Sequence, residues 1–229
     1  MKGDALRALN VARGSRQAAL LVTNLETGDQ GLFLRGDDIA QGEIAEQAQQ
    51  RFRSGKSGIA QVEGQDCFFN VHVPAPRLVI IGAVHISQTL APLAEQAGFD
   101  VMVVDPRTAF ATPERFASID VRAEWPSDIE DTLALDPYTA LAALTHDPKI
   151  DDFPLTKALD VGCFYVGALG SRKTHAKRKG RLIANGVDEA SFDRIHAPIG
   201  LDVGAANPPE IAVAVMAEII AALRKSDIG

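Results

Sequence analysis

The chain is poor in the residues that carry redox and metal chemistry. Cys67 and Cys163 are the only cysteines among 229 residues; they lie far apart, inside apolar segments, and no CxxC pair occurs. Isolated cysteines of this kind are most often buried core residues. The histidines lack the spacing of a metal site on one helix. We therefore expect no metal site and no dithiol centre, and without a GxSxG motif the catalytic residues stay unknown.

Long apolar runs and an excess of positive charge are also missing. No run approaches the roughly 20 residues of a membrane span, and the N-terminus lacks the apolar region of a signal peptide. We therefore expect a cytoplasmic protein without a membrane partner. The formal net charge of −7 argues against a general nucleic-acid binder. A hydrophobic content of 46% and a charged content of 23% are typical of a globular protein.

The first third of the chain predicts a small α+β domain. Alternating apolar residues indicate four short strands, and two amphipathic segments indicate helices. The Pro74-Ala75-Pro76 segment is stiff, because proline fixes its own φ and restrains its predecessor. We place the domain border there, with residues 1–74 before it and residues 77–229 after it. The predicted helices are residues 4–13 and 39–53, and the predicted strands are residues 18–25, 31–34, 59–62 and 67–73.

Residues 77–107 predict a βαβ unit. The apolar run of residues 78–81 is followed by a helical pattern and by a second apolar run, residues 101–104. Asp105 ends that second strand about 20 residues after the first turn, a position that suits ribose hydroxyls. The turn itself departs from Gly-x-Gly-x-x-Gly, because Val84 and Ser87 replace the second and third glycines. NAD(P) binding therefore stays open.

The remaining residues extend this pattern into a parallel sheet. The predicted fold class is α/β, with a C-terminal Rossmann-like parallel sheet domain preceded by a smaller α+β domain. Further strands are expected near residues 121–124, 138–144 and 164–166. Helices are expected over residues 150–159, 172–184 and 210–225.

Small and polar residues cluster where the predicted strands end. In an open parallel sheet, ligands bind outside the carboxyl ends of the strands, so these residues are the candidate cofactor-binding set. His85 has an alternative interpretation as a capping or solvated residue, and His146 as a structural link. The candidates are Gly82, Ala83, Val84, His85, Asp105, Arg107, Thr145, His146, Gly167, Gly170, Ser171 and Arg172.

Residues 171–181 (SRKTHAKRKGR) hold six lysines and arginines in an otherwise acidic protein. One interpretation is an exposed, solvated helix face. The other is an anion site, in which Ser171 caps the helix and Arg172 faces the crevice. Basic residues further along could meet an acidic partner or a second phosphate.

Four segments of the chain match the pattern of a known family: residues 80–107 (IIGAVHISQTLAPLAEQAGFDVMVVDPR), 145–147 (THD), 165–178 (YVGALGSRKTHAKR) and 197–220 (APIGLDVGAANPPEIAVAVMAEII). On these segments the chain resembles the XdhC/CoxI family, the accessory proteins of xanthine dehydrogenase and carbon monoxide dehydrogenase. The resemblance implies a two-domain, often dimeric protein that binds molybdenum cofactor (molybdopterin), protects it during sulfuration and delivers it to a molybdenum hydroxylase. A homodimer is therefore expected, with the hydroxylase and a cysteine desulfurase as partners.

Two departures from the family pattern stand out. Family members usually read Gly-Ala-Gly-His where this chain has Gly82-Ala83-Val84-His85. The family's glycine-rich segment with a cysteine corresponds to residues 31–38, which contain none. The leading expectation is an accessory protein that binds molybdenum cofactor. The alternatives are an NAD(P)-binding Rossmann oxidoreductase and a Rossmann module that only binds partners.

Overall fold

The computed structural model describes residues 3–39 and 41–225. They form two compact units, and the chain passes from one to the other between Pro74 and Ala75. This division lies within the Pro-Ala-Pro segment.

The first unit is a four-stranded antiparallel sheet with two helices. The strand order is β2-β1-β4-β3, and β1 is central, so its residues Ala19 to Leu21 are buried. Helix α1 packs Leu9 and Ala12 against Ala19. The elements are α1 (Gly3–Gly14), β1 (Ala19–Asn24), β2 (Gln30–Leu34), α2 (Glu43–Ser54), β3 (Gly58–Val62) and β4 (Gln65–His72).

Helix α2 begins later than the sequence pattern predicts. The predicted start is residue 39, whereas the helix begins at Glu43 because the chain bends at Gln41-Gly42 first. Ala40 lies outside the described residues.

The second unit is a six-stranded parallel sheet covered by helices on both faces. The strand order is β10-β9-β8-β5-β6-β7, and all five neighbouring pairs are parallel. The elements are β5 (Arg77–Ile81), α3 (His85–Gln96), β6 (Asp100–Val104), β7 (Asp120–Arg122), α4 (Glu130–Leu133), β8 (Thr139–Ala143), α5 (Pro148–Asp160), β9 (Tyr165–Ala168), α6 (Arg172–Ala184), α7 (Glu189–Phe192), β10 (Ile195–His196) and α8 (Pro208–Lys225).

The central strand β5 explains why its sequence is apolar throughout. Leu78 and Ile80 face one hydrophobic core, which contains residues of α3 and α8. Val79 and Ile81 face the other, which contains residues of α5 and α6. Because both faces are covered, the strand shows no polar alternation. The α/β fold predicted from this run is confirmed.

Strand order reverses beside β5, because the chain continues to β6 and β7 on one side and returns to β8, β9 and β10 on the other. Such a switch point opens a crevice outside the carboxyl ends of β5 and β8.

The two-residue strand β10 was not predicted, since so short a segment has no detectable periodicity. None of the helices within residues 3–39 and 41–225 is long and apolar enough to cross a membrane.

Gly82 should be indispensable at the end of β5. Its φ is +113°, and an added Cβ would lie 2.8 Å from Thr145 Cγ2 and 3.3 Å from the Thr145 amide nitrogen. Backbone strain and overpacking should together make Gly82→Ala cost about 3 kcal/mol of unfolding free energy. Urea denaturation measures this loss.

Gly98→Ala is the matched control for that substitution. Gly98 also has a positive φ, +86°, but an added Cβ would meet nothing within 4 Å. It should therefore cost only the backbone strain, about 1 kcal/mol. Equal losses in the two variants would show that the contact between Gly82 and Thr145 is not tight.

Candidate functional site

The four predicted segments meet at the carboxyl edge of the parallel sheet. The Ala83 amide donates to Asp105 Oδ2 at 2.8 Å, which joins the end of β5 to the end of β6. Gly82 lies so close to Thr145 that an added Cβ would collide with the threonine side chain. An added Cβ on Gly170 would lie 3.4 Å from His146 Nδ1, so the turn after β9 touches the loop after β8. The segments therefore line one continuous edge across β6, β5, β8 and β9.

Asp105 is a structural residue of this edge. It is 0% exposed, and Arg107 Nε and Nη2 donate to its two carboxylate oxygens at 2.9 and 2.7 Å. Burial alone would raise the pKa of Asp105, but the hydrogen bonds from Arg107 and from the Ala83 amide outweigh burial and lower that pKa. The sequence pattern predicted ribose hydroxyls as the partners of Asp105; with both oxygens engaged inside the protein, the geometry instead favours a role in fixing the turn.

The turn between β5 and α3 is held by two further side chains. The Ser87 hydroxyl donates to the Gly82 carbonyl and accepts from the Val84 amide at 3.3 Å. Arg115 Nη1 donates to the Ala83 carbonyl at 2.9 Å. Arg115 was not among the predicted residues, because it lies 32 positions further along the chain and no motif marks it. The result is a rigid turn whose exposed member is His85, at the first position of α3.

The loop after β8 is organised by Thr145. Its hydroxyl donates to Asp151 Oδ1 at 2.6 Å and accepts from the Asp147 amide at 3.0 Å. His146 has a φ of +63° and an exposed side chain. Partial burial and the charge of Arg178 lower the pKa of His146, so the neutral imidazole is favoured at this edge.

The two glycines of the segment after β9 differ in their surroundings. Gly170 has the positive φ expected of a tight turn, +137°, and lies at the edge. Gly167 lies inside β9, where an added Cβ would come within 2.7 Å of the Tyr165 hydroxyl and the Ile199 side chain. Gly167 is therefore required by packing and stands apart from the crevice.

The start of α6 is capped as predicted. The Ser171 hydroxyl accepts from the Thr174 amide at 3.3 Å. Arg172, at the first helical position, is exposed. No hydrogen bond or ion pair to Arg172 occurs within the part of the chain that the structure describes. It is thus available to a ligand at the edge.

A pocket of about 270 Å³ lies between α5 and α6, next to His146. The side chains of Asp151, on α5, and Arg178, on α6, line it although they are 1% and 2% exposed. Asp151 Oδ2 and the Nε and Nη1 of Arg178 have no hydrogen-bond partner among the described residues. The basic run is recognisable in the sequence, whereas the burial of Arg178 within that run is not.

Burial is the largest influence on the pKa values of Asp151 and Arg178. It raises the pKa of Asp151 to about 6, although the Thr145 hydroxyl, the Arg178 charge and the backbone amides of Thr145 and His146 act to lower that pKa. It also lowers the pKa of Arg178, against the attraction of Asp151 and Asp152. The carboxylate of Asp151 and the guanidinium of Arg178 therefore both face the pocket without a full set of hydrogen-bond partners among the described residues. Buried polar groups usually have all their partners.

The described residues contain no group of three or more histidine, cysteine or acidic side chains that could hold a metal ion. Both cysteines are free and buried. Burial raises the pKa of Cys163 to about 12, so its thiolate is scarcely populated at neutral pH and the thiol is a poor nucleophile.

Curated relatives match part of this chain. The protein YqeB of Escherichia coli is 33% identical over 176 residues, which are 73% of this chain and 32% of that protein. A probable xanthine dehydrogenase subunit from Bacillus subtilis is 34% identical over 64% of this chain and 43% of its own length. The molybdenum cofactor insertion chaperone PaoD of Escherichia coli is 30% identical over 64% of this chain and 40% of its own length. The chain thus spans less than half the length of these relatives.

A solved structure shares the fold. A xanthine dehydrogenase of Bacillus halodurans superposes with a TM-score of 0.63 at 23% identity, over 95% of this chain and 63% of that chain. The family described as XdhC Rossmann domain matches residues 78–219, which are more than half of the chain. The protein therefore belongs to the XdhC family.

Proposed function

We propose that the protein is an accessory factor that binds molybdenum cofactor and assists its sulfuration and insertion into a xanthine dehydrogenase-type hydroxylase. The observation that carries this proposal is the continuous edge formed by the ends of β5, β6, β8 and β9, which adjoins a pocket with unpaired buried polar groups. The name of the relative PaoD, a molybdenum cofactor insertion chaperone, supports the same function.

The described residues fit such a ligand. A molybdopterin is anionic and carries a phosphate, so it needs hydrogen-bond donors and a shielded surface. The first-turn amides of α3 lack intrahelical partners by geometry, and His85, His146 and Arg172 add exposed donors around them. The buried, unpaired nitrogens of Arg178 meet the same requirement. When it is inserted into a hydroxylase, the cofactor supplies the redox chemistry; this chain's residues bind, orient and shield it.

A nicotinamide-dependent oxidoreductase is the competing function. A dinucleotide would need the acid after β6 for its ribose, yet Asp105 is buried. Both of its oxygens accept hydrogen bonds from Arg107, and Oδ2 also accepts from the Ala83 amide. A branched side chain, Val84, also stands where a pyrophosphate approaches the backbone. Both features weigh against NAD(P).

The proposed partners follow from the proposed function. The client would be a molybdenum hydroxylase, and a cysteine desulfurase would supply sulfur to the bound cofactor. A homodimer would bring two cofactor sites to the client.

Arg172→Ala should weaken cofactor binding without weakening the fold. Arg172 is exposed, so the free energy of unfolding should change by less than about 0.5 kcal/mol. Loss of a charge-assisted hydrogen bond should lower the affinity for molybdenum cofactor about tenfold or more. Fluorescence titration with cofactor released from a molybdenum hydroxylase measures this, and Lys225→Ala, an equal change of charge in the last turn of α8, is the control.

Activity assays separate delivery from catalysis. Apo-hydroxylase should be activated less by cofactor-loaded Arg172→Ala than by the unchanged protein, whereas hydroxylase that already holds cofactor should be unaffected. Binding of NAD or NADP at micromolar concentration with none for the cofactor would refute the proposed function. Oxidation of NADH or NADPH by the purified protein, with a small substrate as the hydride acceptor and no hydroxylase present, would refute it as well if Arg172→Ala abolished that activity.

A further inference from the structure

The pocket between α5 and α6 combines unpaired donors with an unpaired acceptor. Among the described residues, Arg178 donates only from Nη2, to the Leu169 carbonyl at 3.0 Å, and its Nε and Nη1 have no hydrogen-bond partner there. Asp151 accepts from Thr145 through Oδ1, and within residues 3–39 and 41–225 its Oδ2 has no partner. The two groups influence each other's pKa but do not hydrogen-bond to each other. Unmade hydrogen bonds of buried groups are costly, and a ligand that made all three would remove that cost.

The charge of the pocket favours an anion. Four cationic side chains line it, Lys173, Lys177, Arg178 and Arg181, against the carboxylates of Asp151 and Asp152. Asp152 is neutralised by Arg181, which donates to it from Nε and Nη2 at 2.7 and 3.0 Å.

The cations occupy one face of α6. Lys173, Lys177 and Arg181 are spaced four residues apart, so they follow one another along the helix. Because Arg181 is tied to Asp152 on α5, the two helices are held at a fixed separation, which preorganises the pocket. Its volume of about 270 Å³ is just below the roughly 300–1,000 Å³ of most small-molecule sites, which suits a single headgroup.

The unpaired acceptor narrows the choice of anion. A fully ionised oxyanion such as sulfate presents only lone pairs, so it would face Asp151 Oδ2 without a proton between them. A phosphate monoester has its second pKa near 6 and carries one proton for part of the time near neutral pH. That proton can be donated to the carboxylate while the other phosphoryl oxygens accept from the guanidinium.

We propose that the α5–α6 pocket binds one phosphoryl group that carries a proton, with Arg178 Nε and Nη1 donating to its oxygens and Asp151 Oδ2 accepting its hydroxyl. Lys173 and Lys177 contribute attraction at the mouth. Phosphoryl binding of this kind goes beyond the proposed function and does not depend on it, because the pocket alone supplies the donors and the acceptor.

Calorimetric titration with inorganic phosphate at pH 7 and constant ionic strength is the first test, with sulfate as the comparison anion. Phosphate should bind at least about tenfold more tightly than sulfate, because sulfate leaves the carboxylate unpaired. Arg178→Met should lower the affinity for phosphate at least about tenfold, since it removes two charge-assisted hydrogen bonds.

Lys179→Met is the matched control. Lys179 is the next residue on α6, but it pairs with Glu189 and Asp193 on the α7 side and does not line the pocket. It should leave the affinity for phosphate unchanged. If Arg178→Met fails to fold, Lys177→Ala provides the second variant; it should lose about threefold, as expected for an exposed charge. Equal affinity for phosphate and sulfate, or no effect of either pocket variant, would overturn the proposal.

Asp151→Asn tests the acceptor. The amide nitrogen cannot accept the phosphoryl proton, so the preference for phosphate over sulfate should fall to within about threefold. An unchanged preference would contradict the assignment of Oδ2 as the acceptor.

The same substitution should stabilise the unliganded fold at neutral pH. The folded-state pKa of Asp151 is raised from 3.8 to about 6. The contribution of Asp151 to the free energy of unfolding is therefore most favourable below about pH 4 and is lost as the pH rises through about 6. In phosphate-free buffer, Asp151→Asn should therefore raise the thermal midpoint at pH 7.5 by about 5 °C, with the gain shrinking towards pH 4.

Other charged groups near the Asp151 carboxylate also affect how the stability of the protein depends on pH. They are His146 and Asp147 in the loop after β8, Arg107 after β6, Asp152 on α5, and Lys173, Lys177 and Arg181 on α6, beside Arg178 itself. The pKa of His146 is lowered, so its contribution to the free energy of unfolding has the opposite pH dependence and is lost as the pH falls. Because wild type and Asp151→Asn share these other groups, the difference between their thermal midpoints at each pH reports the effect of Asp151. A variant less stable than wild type at pH 7.5 would show that Asp151 is retained for the fold.

A competition experiment identifies the source of the phosphoryl group. If it belongs to the bound cofactor, saturating inorganic phosphate should weaken cofactor binding and Arg178→Met should weaken it as well. If it comes from free phosphate or another phosphomonoester, both ligands should bind together. Absence of cofactor binding in wild type would refute the proposed function yet leave phosphate selectivity intact, whereas cofactor binding without phosphate selectivity would refute only the phosphoryl site.

Discussion

The carboxylate of Asp105 is the constraint on which the carboxyl edge of the parallel sheet depends. It is buried, it receives hydrogen bonds from the Ala83 amide and from Arg107, and it thereby joins the ends of two neighbouring strands. Charge-assisted hydrogen bonds in a buried setting are strong, so the turn before α3 is fixed from within the protein. The first-turn amides of α3 and the side chains beside them are thereby held in fixed positions, and such preorganisation would favour the binding of the proposed ligand.

Asp105 and Asp151 show how surroundings decide what an identical side chain does. Hydrogen bonds outweigh burial at Asp105 and lower its pKa, whereas burial outweighs them at Asp151 and raises its pKa to about 6. The difference lies in the partners: both oxygens of Asp105 accept hydrogen bonds, while one oxygen of Asp151 has no partner in the described part of the chain. Asp105 therefore supports the fold, and Asp151 is the acid whose retention calls for a functional explanation.

The sequence predicted the elements well and the roles of individual side chains less well. Unbroken apolar runs such as Leu78 to Ile81 identify buried parallel strands, because covered faces on both sides leave no room for polar residues. A run of basic residues, in contrast, does not reveal which of them is buried. Lys177, Arg178 and Lys179 are consecutive, and of these three only Arg178 is buried, because of how α6 is rotated against α5. The sequence likewise does not tell why Gly167 and Gly170 are glycines. Close packing requires glycine at position 167, whereas a positive φ favours it at position 170.

The position of the α5–α6 pocket has a consequence for how a bulky cofactor could be held. The switch point lies between β5 and β8, but the pocket lies further along the edge, beside His146 and beneath α6. A ligand anchored there by a phosphoryl group would extend along the edge towards the first-turn amides of α3, which lack intrahelical partners. Anchoring one end in a fixed, charged pocket lowers the entropy that must be lost in placing the other end. Under the proposed function, such anchoring would fix the phosphoryl end of the ligand in the pocket and leave its other end to be held by the residues along the edge.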